Sequence, residues 1–407
     1  MLSFEQARHV VEEHASRLRP PKKEGMSLVD GIGRVLAEPV VADRNFPPFA
    51  RATRDGYAVR AADLSSLPAR LAIVGEIKAG ADVTVQVESG QAAAIMTGAP
   101  VPAGADSVVM VEYASLQGDR VEIRRGIAGG ENIVAQGAEA KLGERLLSPG
   151  VRLDAAAIAL ASSVGKSHPL VYVKPRVAVL ATGDEVVDVD VAPAPQQIRN
   201  SNSYSLAAQI QAAGGEPLLL PIAPDEPARL RELISDASNA DLLLLSGGVS
   251  AGRYDFVEQV LGGLKAEFFF TGAQIQPGRP VVFGQLPGSA NRDSDGRYFF
   301  GLPGNPVSTK VTFELFVKPV VEALAGMTPA KLVFLQAKLK SEVKTRTGLR
   351  RFLPAVLSGE FDQGEVELLP WHGSGDMAAT ARANCYVVIT PDREKIAAGE
   401  WVAVLLR

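Results

Sequence analysis

Two small-residue loops carry the residue types best suited to receive an anion. Gly301-Leu-Pro-Gly-Asn-Pro-Val-Ser308 follows the apolar run Tyr298-Phe-Phe300 and precedes a helix-compatible segment, Thr309 to Leu324. Gly301 and Gly304 permit close backbone approach, and Pro306 suits a first helical turn, where a missing N–H is tolerated. Asp241-Leu-Leu-Leu-Leu-Ser-Gly-Gly-Val-Ser250 repeats the pattern, an aliphatic strand emptying into a Gly-Gly turn. Strand, glycine loop and helix start together expose N–H groups toward negative charge. Ser246, Gly247, Gly248, Ser250, Pro303, Gly304, Asn305, Pro306 and Ser308 are therefore candidate contacts to a phosphorylated ligand.

Carboxylates gather beside these glycines. Asp55 lies in Thr53-Arg-Asp-Gly-Tyr57, and Asp184 and Glu185 in Ala181-Thr-Gly-Asp-Glu185, with Thr182 and Gly183 ahead of them. Asp241 precedes the aliphatic strand and Asp255 follows the Gly-Gly turn. A carboxylate repels an oxyanion, so beside a phosphate loop its chemistry is to hold Mg2+ or to orient a polar ring such as a pterin. Asp184 and Glu185 equally suit a turn, and Asp255 equally suits the cap of a helix from Phe256. In Ile275-Gln-Pro-Gly-Arg-Pro280 the backbone is stiffened at Pro277 and Gly278 is free to bend; Arg279 either pairs an oxyanion or decorates a surface turn. Thr97 closes a strand in Ile95-Met-Thr-Gly-Ala-Pro-Val-Pro102, where a polar side chain can meet a ligand. Val164-Gly-Lys-Ser167 imitates the end of a P-loop, but Leu160 replaces the upstream glycine and a helix, not a strand, precedes it.

The elements that must position these residues fall into blocks. Ser3-Phe-Glu-Gln6 is a capping box, and Phe4, Ala7, Val10, Val11 and Leu18 recur at helical spacing up to Pro20-Pro21. Leu28 to Leu36 reads as a further helix fragment broken by glycines. Leu71–Val74, Val83–Val87, Ala93–Met96, Ser107–Val111 and Val121–Ile123 are short strands punctuated by turns, which marks a β-rich domain. The alanine-rich run Leu153 to Val164 is helical and is expected to pack back on the first helix. From Arg176, strands and helices alternate, so the fold expected there is a doubly wound parallel sheet with ligands at the carboxyl ends of its strands. Asn291 to Gly296 reads as a hairpin tip. After Gly326 short strands return, as a small β-barrel or sandwich. The expected division is a helical or linking domain in two pieces (1–43 and 147–173), a β-rich domain (44–146), an α/β domain (174–327) and a β-rich C-terminal domain (328–407).

Bulk properties narrow the function. The 407 residues carry a formal charge of −4, with 46% hydrophobic and 22% charged residues, as in an ordinary soluble globular protein. That balance argues against nucleic acid as partner, since phosphate backbones demand clustered cations. A single cysteine, Cys385, forbids an intrachain disulfide, and its alternating surroundings predict a buried core residue. No membrane-spanning run or signal-peptide profile is present, so a cytoplasmic protein is expected.

The motifs together resemble the molybdopterin molybdenumtransferases, the MoeA family that includes the gephyrin E domain. The matching segments are Asp55-Gly-Tyr-Ala-Val-Arg60, Met96 to Asp106, Lys174 to Leu180, Thr182-Gly-Asp-Glu185, Ser246-Gly-Gly-Val-Ser250, Pro277-Gly-Arg-Pro280 and Gly301 to Ser308, in family order across nearly the whole chain. The resemblance implies four domains with a C-terminal β-barrel, and a homodimer whose cleft lies between the α/β domain of one subunit and the β-rich domain of the other. It implies insertion of molybdate into adenylylated molybdopterin with release of AMP and Mg2+ present. Contacts with a molybdopterin adenylyltransferase and with molybdoenzyme chaperones would follow. Under it, Asp55, Thr97, Glu185 and Asp241 are catalytic, with Asp184, Glu185 and Asp241 the metal candidates. Stand-alone adenylyltransferases share a similar α/β domain but lack the Asp55 and Thr97 segments, and a gephyrin-like scaffold is the other alternative. Three departures stand out. Gln276 stands where relatives usually carry a lysine, Arg51-Ala-Thr-Arg54 replaces Asn-Ser-Ala-Met, and an acidic pair is reduced to Ala138-Glu139. Arg51 or Arg54 is expected to supply the cation that Gln276 lacks.

Overall fold

The computed structural model describes every residue except 21, 81, 83, 249–255, 289–295 and 407. Helix α1 (Phe4–Arg17) begins with the expected capping box, Ser3 and Gln6 each accepting the other's backbone N–H. Its stripe of Phe4, Ala7, Val11 and Ala15 is buried in the α/β core. Helix α2 (Ala155–Ser163) does not pack on α1. Its Ala157 and Ala161 enter a separate core with Leu36, Val40, Leu153 and Val171, because methyl side chains need large partners brought close. Leu28 to Leu36 is a series of turns rather than a helix, with Gly33 at φ +76°. Two glycines in three residues make a helix there too costly.

The β-rich region forms a six-stranded sheet in the order Ser107–Met110, Gly56–Val59, Gln91–Ile95, Ala69–Ile77, Arg120–Ile123, Ala114–Gln117. Both faces are covered, one around Ala58, Ala93, Ile95 and Val108, the other around Val59, Ala92, Val109 and Val121. Of the expected strand Val83–Val87, Val83 lies outside the described residues and Gln86 makes one bridge to Ala103.

In the α/β region, Glu216–Leu219, Arg176–Ala181, Leu242–Ser246 and Arg297–Leu302 lie side by side and parallel. Val282–Leu286 and Glu267–Phe270 extend the sheet antiparallel, a departure from the all-parallel expectation. The link between Leu286 and Arg297 is too short for the crossover that a parallel neighbour requires. It contains the expected hairpin tip, of which residues 291–295 lie outside the described ones. The sheet is wound on both sides. Helix α3 (Ser201–Ala212) covers one face, and α4 (Pro227–Asp236) and α5 (Phe256–Gly263) the other. Helix α6 (Pro306–Thr312) runs through a π-helical turn, Phe313–Val317, into α7 (Lys318–Leu324), on the same side as α1 and α3. Strand residues alternate accordingly, Leu242 and Leu244 toward α1, α3 and α6, Leu243 and Leu245 toward α4 and α5.

The C-terminal region closes five strands into a barrel: Arg350–Ser358, Glu365–Leu368, Phe334–Leu339, Trp401–Leu406, Cys385–Ile389 and back to the first. Cys385, Val387 and Ile389 fill its interior, while Tyr386 and Val388 on the opposite face of that strand join the α/β core. Among the described residues no helix is long and apolar enough to cross a membrane.

Candidate active site

Three loops leave the carboxyl ends of adjacent parallel strands at one level, because Ala181, Ser246 and Leu302 are in register. They are Thr182-Gly183, Gly247-Gly248 and Pro303 to Pro306. The loops touch: a Cβ on Gly304 would lie 3.6 Å from Gly247 Cα, and one on Gly247 would lie 2.7 Å from the Thr182 carbonyl oxygen. At Gly247 only glycine admits that approach, and its φ of +100° also suits glycine. Thr182 N–H donates to Ser246 O at 3.0 Å and Gly247 N–H to Leu302 O at 3.1 Å, so the sheet ladder continues into the loop bases.

Several expected anion donors are already engaged. Besides these two, Gly183 N–H donates to Ala223 O at 3.2 Å, and Val307 N–H donates to Ser374 O, from a loop of the C-terminal region, at 3.0 Å. Among the described residues no partner is present for the N–H groups of Gly248, Gly304 and Asn305. These three lie on the two touching loops, and Gly248, Gly304 and Asn305 are all exposed. Ser250 and Asp255 lie outside the described residues. Ser308 is buried one turn into α6, its carbonyl accepting the Thr312 hydroxyl at 2.8 Å.

An acidic lip flanks the loops. Asp184 accepts the Asp225 N–H at 3.0 Å, and the Glu185 carboxylate lies over Gly183, 2.6 Å from where its Cβ would be. Partial desolvation, then the charges of Asp184 and Glu185, push the Asp225 carboxyl above the usual carboxylate range. Asp225 is a candidate site residue that the sequence reading passes over, hidden in the turn Ala223-Pro-Asp-Glu226.

Asp241 does not join this group. It precedes its strand and therefore sits at the amino end of the parallel sheet, opposite the loops. There its carboxylate accepts the Arg176 N–H at 2.7 Å and ties two strand starts together. The expected metal set of Asp184, Glu185 and Asp241 is thus not assembled, and among the described residues no three acidic, histidine or cysteine groups are placed to cage an ion.

The Pro277-Gly-Arg279 turn packs on α6: a Cβ on Gly278 would lie 2.4 Å from Thr312 Cγ2 and 3.6 Å from Ser308 O. Arg279 is exposed, with Nε 3.3 Å from Met1 Sδ. Ile275-Gln276 pairs with Arg350-Arg351, bringing two cations alongside. Both have intramolecular tasks. Arg350 pairs with Glu5 and lies 5.2 Å above the Phe4 ring, and buried Arg351 donates to the Leu349 and Arg346 carbonyls. Arg51 pairs with Glu139 at 2.7 Å, within the β-rich region's own turns, so it does not replace the charge missing at Gln276 within one chain.

Asp55 and Thr97 form the second half of the candidate site. Thr97 donates to Asp55 Oδ1 twice, from its N–H at 2.7 Å and from its hydroxyl at 2.8 Å. Those bonds, the backbone one first, hold the Asp55 carboxyl below the usual range. The following Gly56 is required by packing, since a Cβ there would meet Val109 O at 1.9 Å. Asp55 and Thr97 are exposed beside a sheet that, among the described residues, shares no strand pairing and no core residue with the α/β region.

Comparison with known proteins covers the whole chain. Residues 2–165 match the model for the MoeA N-terminal region (domain I and II), 178–323 a probable molybdopterin binding domain, and 336–406 the MoeA C-terminal region (domain IV). A molybdopterin molybdenumtransferase of a Nostoc species is 37% identical over 385 residues, covering 92% of this chain and 86% of the relative. That of Haemophilus influenzae is 32% identical over 408 residues, 99% of this chain and 98% of the relative. The crystal structure of the molybdopterin biosynthesis moeA protein from Pyrococcus horikoshii OT3 superposes with a TM-score of 0.79 at 28% identity, covering all of both chains.

Proposed function

The chain belongs to the molybdopterin molybdenumtransferase family, and from that premise we propose that it inserts molybdate into adenylylated molybdopterin and releases AMP. One observation carries the assignment of the site: the Gly247-Gly248 and Pro303 to Asn305 loops lie together and carry three N–H groups that have no partner among the described residues. Such a cradle suits the phosphate and pyrophosphate of a nucleotide-linked pterin, whose negative charge the N–H dipoles and the start of α6 stabilise. Positioning and charge stabilisation then supply most of the rate, with little covalent work by side chains.

Asp184, Glu185 and Asp225 fit a divalent ion of the Mg2+ type only in part. Mg2+ is commonly held by one or two carboxylates together with substrate phosphate rather than by an all-protein cage, and mutually repelling carboxylates beside an anion cradle match that division. When bound, the ion would neutralise phosphate charge. The protein's own contribution is to hold Asp184 against the Asp225 N–H and Glu185 over Gly183.

Asp55, kept ionised by Thr97, is suited to placing the incoming oxyanion through an intervening proton or cation. That its sheet shares no strand pairing with the α/β sheet among the described residues supports a site shared by two copies of the chain, each lending its Asp55–Thr97 pair to the other's cradle. The protein so described is a cytoplasmic homodimer. The test is molybdate-dependent AMP release from adenylylated molybdopterin by wild type, Asp55→Ala, Gly248→Val, and a mixture of the two variants. The shared site predicts recovery on mixing, because a mixed dimer has one intact site; two inactive variants that stay inactive in a proven mixed dimer would refute sharing.

A further inference from the structure

Asn202, in the first turn of α3, has no role in starting that helix. Asn200 does that work, its side chain accepting the Ser203 N–H at 3.1 Å. Asn202 points instead toward the two glycine loops. Its Nδ2 donates to Ser246 Oγ at 2.9 Å and to the Gly304 carbonyl at 2.7 Å. Ser246 is the residue before Gly247, so one amide group spans both halves of the cradle. Flipping the amide would set Oδ1 against the Gly304 carbonyl, acceptor against acceptor, so the two contacts fix its orientation.

The surroundings bear a cost. Asn202 Oδ1 and the Thr182 hydroxyl, which lies beneath the Gly247–Gly248 turn, are buried without hydrogen-bond partners among the described residues. Buried polar atoms are usually paired, and an aliphatic residue would avoid this penalty at position 202. The primary amide supplies two N–H donors from one uncharged atom, and both are used.

We propose that Asn202 is a positioning residue of the reaction, its amide fixing the separation of the Gly247–Gly248 turn from the Pro303 to Asn305 loop and hence the fit of the substrate's phosphate groups. This rests on the reading above, in which those loops hold the nucleotide. Asn202 acts through Ser246 and Gly304, and its loss changes binding of phosphate-bearing ligands before it changes the fold.

Asn202→Asp keeps the shape and removes both donors; Asn202→Ala removes the group. Each is compared with wild type in the KM for adenylylated molybdopterin, the Kd for AMP by calorimetry, and thermal melting. The expected result is a rise of about ten- to hundredfold in KM and in Kd for both variants, with melting close to wild type. A folded Asn202→Asp with wild-type KM and AMP affinity overturns the proposal. So do variants that fail to fold or melt far below wild type, since they assign Asn202 to stability. If the wild type binds AMP but releases none from adenylylated molybdopterin, the functional reading falls instead, and the AMP affinities still decide the role of Asn202.

Discussion

A methyl group added at Gly247 probes the cradle most directly. In Gly247→Ala the new Cβ would stand 2.7 Å from the Thr182 carbonyl oxygen and 2.9 Å from its hydroxyl, at φ +100°. The positive φ alone costs a residue with a side chain about 1 kcal/mol. The carbonyl cannot swing aside freely because it belongs to the loop base held by the Thr182–Ser246 bond, and overpacking of that kind costs about 1–3 kcal/mol. Together these give about 3 kcal/mol, or about 6–12 °C in the melting of a domain of this size. Gly165→Ala is the control, since Gly165 has φ +71° with nothing within 4 Å of a Cβ, and it should lose only the first contribution, about 2–4 °C. Relief of the contact shifts Gly247 from its place between Thr182 and the Pro303 loop, and a displacement approaching 1 Å in a positioned site lowers turnover by about 100-fold. Circular dichroism melts and molybdate-dependent AMP release measure the two effects. If Gly247→Ala melts and turns over like Gly165→Ala, the close approach of the loops is not what the activity needs.

Three more outcomes follow from the geometry. Asp241→Asn should keep wild-type turnover and lose about 1–2 kcal/mol of stability in urea titration, because it weakens a carboxylate bond to Arg176 far from the loops; a loss of turnover without loss of stability would return Asp241 to the site. Thr97→Val should raise the Asp55 carboxyl part of the way toward the ordinary carboxylate range, read by NMR titration, since the backbone bond persists. The sign is that of a depressed acid: the pairing stabilises the fold above the unfolded-state value and is lost as pH falls through the folded one. Cys385, whose thiol burial pushes up to about 11, should resist an aromatic disulfide reagent at pH 8 in the native protein and react on denaturation; rapid native labelling would show that the barrel opens.

Much of the candidate site's layout was readable because glycine spacing and strand periodicity are local signals. The two loops, the Thr182 turn and the Ser3–Gln6 box all stand where their residues put them. The misplacement of Asp241 concerns direction: a residue ahead of a parallel strand lies at the end away from the ligand loops, whatever glycines follow the strand. Asp225 and Asn202 escape notice for another reason. In sequence they are indistinguishable from turn and cap residues, and only the meeting of chain segments about 40 to 100 positions apart reveals what they face. The antiparallel edge strands depend on a short connection, and the docking of α1 on α/β helices depends on tertiary pairing that a helical stripe cannot specify.

That docking of α1 has a bearing on how the chain matures. Phe4 sits 6.1 Å from Phe316 and 5.4 Å from Phe352, ring centre to ring centre. During synthesis the opening helix therefore leaves the ribosome long before its permanent neighbours exist, and its greasy side must wait through the making of the whole β-rich region. A fragment cut to the α/β block alone would lack that cover, and should be sticky unless a peptide spanning Phe4–Arg17 is supplied in trans.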